Sequence, residues 1–210
     1  MRQKEYWNKV ANEKKFTISV SMELLKKYLT PSSRILDFGC GYGRILQELK
    51  KNGFLNLVGV DIAENMIEIA KANLPGIDFK TNVGTDIPYD DSYFDCVIAA
   101  AVLTCIPGND DQKRLVAEIK RVLKLDGIVY ICDFLINQDQ RNINRYDKYK
   151  QKHGPYGIFE IGEGVVLRHH TLEWIDNLTS SFTKLLFEEK TFTTMNNHIS
   201  NGFCFIGKKA

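Results

Sequence analysis

Three glycines, Gly39, Gly41 and Gly43, recur at every second position in the run Ile35-Leu-Asp-Phe-Gly-Cys-Gly-Tyr-Gly-Arg44. A short apolar segment leads into them, and helical spacing begins directly afterwards at Ile45, Leu46 and Leu49. Glycine takes backbone angles closed to other residues and lets a ligand touch the main chain. The helix that follows offers unpaired N–H groups and partial positive charge at its start. The run is not the dinucleotide pattern G-x-G-x-x-G, because the sixth place from Gly39 is Arg44 and the third glycine comes one residue early. A P-loop is excluded, since no G-x-x-x-x-G-K-S/T occurs. Asp37 stands two residues before the first glycine, which suits a ligand carrying a cationic amino group rather than a pyrophosphate.

Two more acids follow at comparable places. Asp61 ends the next apolar run, where a carboxylate can accept both hydroxyls of a ribose. Asp86 follows a third run and precedes Ile87, a pair able to accept from an exocyclic amine and pack a purine face. Any one aspartate is what turns and caps ordinarily hold. Three of them after three successive strands, with the glycine loop after the first, point to a nucleoside-bearing ligand.

The elements that must position these groups are short apolar runs alternating with amphipathic stretches. Strands are expected at Ile35–Phe38, Leu57–Val60, Ile77–Lys80, Phe94–Ala101 and Gly127–Phe134. Between them lie helices with Ala63, Met66, Ile67, Ala70 and Leu74 on one face and Leu115, Ile119, Val122 and Leu123 on another, the latter with N-cap chemistry at Asn109–Asp111. Strands without polar alternation belong to a parallel sheet covered on both faces. Their alternation with helices predicts a doubly wound α/β fold with helices on both faces of the sheet. After Phe134 the rhythm breaks, and residues 135–168 show no clear period. Thr171–Leu178 reads as a short helix, and Phe182–Thr193 with Gly202–Lys208 as a C-terminal antiparallel hairpin. The first 30 residues read as helical cover, with Leu24, Leu25, Tyr28 and Leu29 as a stripe.

The chain has 210 residues, 44% apolar and 26% charged, which fits one globular domain and excludes wholesale disorder. Its 28 basic and 26 acidic side chains leave a formal charge of +2, which argues against a nucleic-acid coat or a membrane-surface protein. No apolar run reaches membrane-spanning length, and the start of the chain lacks a signal-peptide core. Cys40, Cys96, Cys105, Cys132 and Cys204 are odd in number and contain no CxxC, so they read as buried reduced thiols of a cytoplasmic protein.

DFGCGYG, VGVDIAENMIEIAK, GTDIPYDDSYFDCVIAAAVL and VLKLDGIVYICDF resemble, in order and spacing, the motifs of class I S-adenosylmethionine-dependent methyltransferases of the small-molecule type. The resemblance covers about residues 34–134. It implies a Rossmann-like, seven-stranded, mostly parallel sheet with a reversed last strand. It implies S-adenosyl-L-methionine as cofactor and S-adenosyl-L-homocysteine as product. By the same resemblance Gly39, Gly41 and Gly43 pass the methionine part, Asp37 helps place its amino group, and Asp61 takes the ribose with Ile62 against the adenine. Asp86 and Ile87 meet the adenine edge, and Ala100 lies beside the methyl region. Tyr6-Trp7 and Phe16-Thr17 resemble the mobile cover such enzymes place over the cofactor, although plain helix packing explains them equally. The chain then divides into cover (1–30), cofactor core (34–134), substrate-side insertion (135–170) and a C-terminal helix and hairpin (171–210).

The expected reaction moves a methyl group to an oxygen or nitrogen of a small-molecule acceptor. Alternatives are an RNA or protein acceptor, a non-catalytic cofactor-binding subunit, and an NAD-dependent oxidoreductase, which Arg44 disfavours. The stretch Ala-Ala-Ala-Val-Leu-Thr stands where methylation of planar exocyclic amines usually shows N-P-P-Y. Acceptor-side candidates are Tyr146, Tyr149, His153, Tyr156, Phe159, Arg168, His169, His170 and Asn196–His198, with Thr104 after the fourth strand. His169 or His170 is the candidate general base, as imidazole titrates near neutrality. No metal site is expected, because adjacent side chains diverge and no HxxxH supports them. Arg141, Arg145, Lys148, Lys150 and Lys152 read chiefly as a solvated helix face that can also steer an acidic substrate.

Overall fold

Runs that are apolar at consecutive positions have no polar face to give to water, so they go to the middle of the sheet. In the computed structural model, which describes residues 2–210 except the side chains of Arg2 and Glu163, these runs are β1 (Arg34–Phe38), β2 (Asn56–Asp61), β3 (Asp78–Thr81), β4 (Phe94–Ala100) and β5 (Leu123–Phe134). They pair in parallel in the order β3-β2-β1-β4-β5. The C-terminal pair, β8 (Thr183–Thr193) and β9 (Ile199–Lys208), completes a seven-stranded sheet, with β9 antiparallel to β5 and β8 at the edge. Hydrogen-bonded neighbours that are far apart in sequence require crossovers, and helices supply them.

Alternate residues of each central strand feed opposite cores. Leu36, Phe38, Val60, Val97 and Ile131 face one, which is closed by α5 (Asn109–Val122) and α7 (Leu172–Thr179). Ile35, Leu57, Ile98 and Tyr130 face the other, which is closed by α2 (Met22–Tyr28), α3 (Arg44–Lys51) and α4 (Glu64–Asn73). In the expected N-terminal stripe Leu25 and Leu29 are buried, Leu24 is partly covered and Tyr28 is exposed. The remaining cover is α1 (Arg2–Lys9) followed by irregular chain. Thr171 caps α7 by accepting from the Trp174 N–H at 3.2 Å. Asn109 lies inside α5 rather than capping it; Gly108 occupies the cap, and Asp110 and Asp111 complement the dipole in the first turn.

The unpatterned stretch is ordered. Asp139 accepts from Asn142 N–H and starts α6 (Gln140–His153), which ends at Gly154. A two-stranded ribbon follows, β6 (Ile158–Glu160) with β7 (Val166–Arg168). One cysteine expectation is overturned. Cys132 and Cys204 oppose each other across β5 and β9 with Cα atoms 4.3 Å apart and are joined as a disulfide, leaving Cys40, Cys96 and Cys105 free. The sheet register brings the two sulfurs together from 72 residues apart, which sequence spacing cannot reveal. Among the described residues no helix is long and apolar enough to cross a membrane.

Candidate active site

The glycine loop leaves β1 at its carboxyl end and folds onto β2. Gly39 and Cys40 both donate to the Val60 carbonyl, at 2.7 and 3.0 Å. Gly41 donates to Asp61 Oδ2 at 2.8 Å, and Ala63 donates to Asp61 Oδ1 at 2.9 Å. The Asp61 carboxylate therefore ties the loop after β1 to the loop after β2. Burial raises its proton affinity, and the two N–H donors offset part of that rise. Gly41 has φ +53°, and a Cβ there would come within 2.4 Å of the Phe16 ring. Phe16 also stacks on Tyr42 with centroids 5.1 Å apart, so the N-terminal cover lies flat on loop backbone that no side chain could share.

Asp37 sits beneath this loop, 1% exposed, and neither carboxylate oxygen has a hydrogen-bond partner. Burial pushes its carboxyl up to about 8, against the weaker pull of nearby Arg44 and with a push from Asp61. Arg44 meanwhile donates to the Ile18 carbonyl, which fastens the cover to the start of α3. Ala101, just beyond β4, holds φ +57°, a left-handed geometry that costs a non-glycine residue about 1–2 kcal/mol. Its N–H donates to the Cys132 carbonyl at 2.8 Å, so pairing with β5 holds the strained residue in place.

A cavity of about 290 Å³ opens over the strand ends. Gly39, Asp61, Ile62 and Ala100 line its floor; Tyr6, Trp7 and Phe16 roof it. Phe134, Phe159, His169, Arg141 and Arg145 close the far end, together with Thr194–Asn196 and His198 from the turn between β8 and β9. Of the residues singled out in the sequence, Tyr6, Phe16, Gly39, Asp61, Ile62 and Ala100 thus meet in one space. Asp37, Gly41 and Gly43 support its wall from behind, with Gly43 at the cap of α3.

Asp86 and Ile87 do not reach the cavity. Asp86 is exposed, and Ile87 is buried in the opposite core with its N–H on Glu118. Their place is taken by Asn82 and Gly84, because β3 runs to Thr81 and the chain turns away at once. Asn82 Nδ2 holds that turn by donating to the Gly84 carbonyl at 2.8 Å. Tyr149, His153, Tyr156, Arg168 and His170 also lie outside the lining, whereas Thr104 is part of it.

The two histidines differ sharply. His170 is 1% exposed and lies off the cavity; its Nδ1–H donates to the Phe134 carbonyl at 3.0 Å, and Nε2 accepts from Gln112 Nε2 at 2.8 Å. Both nitrogens are committed, and burial lowers its proton affinity to about 3. His169 lines the cavity, with Nδ1 at 2.6 Å from the Tyr146 hydroxyl. That hydroxyl already accepts from the Asn137 N–H at 3.3 Å, so its own proton goes to Nδ1, and Nε2 carries the imidazole hydrogen. Asn137 Nδ2 lies 3.2 Å from Nδ1 but gives its two hydrogens to the nearer Leu135 carbonyl and Ser200 hydroxyl, at 2.8 and 3.0 Å. Burial and nearby Arg145 hold His169 well below the usual imidazole range. The expectation is therefore corrected for His170, a structural hydrogen-bonding group off the cavity; His169 is the one of the two that lines it, and its burial disfavours the protonated ring.

Known proteins share the fold and the cofactor-half sequence. A methyltransferase-domain family model matches residues 36–131. A solved S-adenosylmethionine-dependent methyltransferase of Methanosarcina mazei superposes with a TM-score of 0.84, at 26% identity over 91% of this chain and 99% of that one. The chain belongs to the class I S-adenosylmethionine-dependent methyltransferases. Curated relatives include the carboxy-S-adenosyl-L-methionine synthase of Nautilia profundicola, 31% identical over 71% of this chain and 66% of that protein. Another is the ribosomal protein L11 methyltransferase of Dictyoglomus turgidum, 36% identical over 58% of this chain and 39% of its own. The match thus spans 66% of the first curated relatives and less of others.

S-Adenosylmethionine is the cofactor of this family, and the methyltransferase site has the donor set to hold it. Asp37 offers two buried acceptors without a donor, which fits an ammonium. Asp61 spends one lone pair per oxygen on backbone N–H groups and keeps the others for a diol. Ile62 and Met66 give apolar cover for a base. The sequence passed over Asn82, Met66, Phe134 and Ser200 as lining residues; only the position of Asn82 immediately past a strand could have marked it.

Proposed function

We propose that this methyltransferase moves the methyl group of S-adenosylmethionine to an oxygen or nitrogen of a small-molecule acceptor. The observation that carries the reading is the roof. Tyr6, Trp7 and Phe16 on one side and the β6–β7 ribbon on the other enclose about 290 Å³, near the lower end of small-molecule sites. A folded protein or a nucleic-acid strand needs an open approach, and the relatives named for protein substrates match only 58% and 52% of this chain.

When bound, the cofactor supplies a methyl group already activated on its sulfonium. The chain's work is then to hold, orient and dry. Asp61 grips the ribose and Asp37 balances the ammonium. Ala100 and Ala101 form the floor nearest the acceptor. His169, fixed by Tyr146, directs its Nε2–H at an acceptor oxygen or nitrogen and orients a lone pair toward the methyl group. Such alignment alone removes a large part of a bimolecular barrier. The apolar roof excludes water, which favours the dispersal of positive charge.

The test pairs two measurements. S-Adenosylhomocysteine should raise the melting temperature, and NAD should not. Labelled methyl from the cofactor should then enter the small-molecule fraction of a metabolite extract. Label appearing only in the protein or RNA fraction would overturn the small-molecule reading, and absence of any shift with S-adenosylhomocysteine would overturn cofactor binding.

A further inference from the structure

The cavity is unbalanced in charge. Among its described lining residues Lys14, Arg44, Arg141 and Arg145 are cations, and Asp61 is the one carboxylate. Asp61 lies at the end of β2 and is engaged with the backbone. Arg44 is engaged with Ile18, and Lys14 lies two residues before Phe16, so both belong to the glycine-loop end. There the cofactor brings a carboxylate of its own.

Arg141 and Arg145 stand at the opposite end, one turn apart on α6, beyond β5. Two exposed lysines of the same basic run have acidic partners, Lys150 with Asp147 at 3.2 Å and Lys152 with Glu160, whereas Lys148 lies 5.0 Å over the Tyr149 ring. Arg145 pairs with no carboxylate among the described residues. Its guanidinium lies 3.6 Å over the Phe159 ring, and its Nε is buried without a hydrogen-bond partner. Stacking fixes the plane of the guanidinium, the Tyr146 hydroxyl engages one of its donors, and the remaining donors suit a planar or tetrahedral oxyanion. Arg141 reaches Asp139 only at 3.7 Å and stands at the cavity's outer edge. Phe134, Phe159 and His169, whose rings pack on one another, line the same cavity as this pair and give it an aromatic wall against which a flat apolar body can lie.

Resting on the small-molecule reading above, we propose that the acceptor is an organic acid, a compact planar body bearing a carboxylate or phosphate that Arg145 grips with help from Arg141. The anion end docks against α6, and the atom to be methylated then points back past His169 toward Ala100. This adds a substrate class to the reaction and gives the basic pair on α6 a specific task.

The experiment titrates benzoate, phenyl phosphate and benzamide into the full chain saturated with S-adenosylhomocysteine, with affinity read by calorimetry. At least one acid should bind tenfold or more tightly than the neutral amide. Preference for benzoate assigns a carboxylate, and preference for phenyl phosphate assigns a phosphate. Arg145→Gln should remove that preference while S-adenosylhomocysteine affinity stays within twofold, and Arg145→Lys should restore part of it. Benzamide binding as well as both acids in the wild type, or an acid preference that survives Arg145→Gln, would overturn the proposal while leaving cofactor binding intact. Failure of S-adenosylhomocysteine to bind would strike the underlying reading instead. The wild-type comparison stands even if a variant misfolds.

Discussion

Replacing Asp37 with asparagine probes the cofactor site through the stability of the empty protein. Folding moves this carboxyl from the solvent range near 3.8 to about 8, because burial removes water and no donor replaces it. The folded value lies above the unfolded one, so the folded state binds the extra proton. The associated stability is complete below about pH 4 and is lost as pH rises to about 8. At roughly 1.4 kcal/mol per pH unit, the loss across that window is on the order of 5 kcal/mol. A carboxamide cannot ionise, so Asp37→Asn should abolish that component and leave the rest of the pH profile intact. The new side chain brings a buried N–H₂ without an acceptor, a cost of about 1–3 kcal/mol that does not depend on pH. The variant should therefore be the less stable protein near pH 4 and the more stable one at pH 8. Urea unfolding of both cofactor-free proteins between pH 4 and 8.5 measures the crossing directly. Ligand adds a second arm. An ammonium pairing with Asp37 favours the carboxylate, so S-adenosylhomocysteine should release a proton from the wild type near neutrality and none from the variant. Parallel stability profiles for the two proteins would refute the account of Asp37 as an orphaned buried acid.

Four other perturbations test neighbouring claims. Asp61→Ala removes the acceptor of two backbone N–H groups and should weaken S-adenosylhomocysteine binding by about 1.5–3 kcal/mol; unchanged affinity by calorimetry would reject the ribose assignment. Gly41→Ala adds a left-handed non-glycine residue and a Cβ aimed at Phe16, so it should destabilise the fold by at least about 1–2 kcal/mol and lift the cover, read as a lower melting temperature and faster proteolysis before residue 20. Tyr146→Phe deletes the proton that fixes His169 and should lower turnover more than cofactor affinity; an equal effect on both would argue against an orienting role. Ala101→Gly relieves the strained backbone and should cost less stability than an ordinary strand-end Ala→Gly change, with urea unfolding as the readout.

The core half of the chain was legible because its signals are local. Apolar runs ending at Asp37-Phe38, Asp61 and Ala100 declare both the strands and the sheet ends where ligands collect, and the glycine loop declares its own backbone. Strand boundaries moved by only a few residues, as β5 began at Leu123 rather than Gly127. The helix α6 was hidden because few apolar residues mark it; Tyr146 is buried beneath it, while Arg145 looks like surface charge until the fold stacks it on Phe159, with Arg141 left at the cavity's rim. Asp139 as a cap and Gly154 as a stop were the available signs. The orientation of His169 depends on Tyr146, 23 residues away in sequence, and the Cys132–Cys204 pair depends on strand register. Asp86 misled because the chain turns away between the end of β3 at Thr81 and this residue.

Helix α1 touches both halves of the enclosure. Gln3 donates to the Val166 carbonyl on β7 at 2.6 Å, while Lys4 and Asn8 hold Glu64 at the start of α4. One short segment therefore latches the nucleoside end and the acceptor end simultaneously. The cover over the two reactants is thus one piece fastened at two places, and a substitution at Gln3 or at Lys4 removes one tether of the same helix.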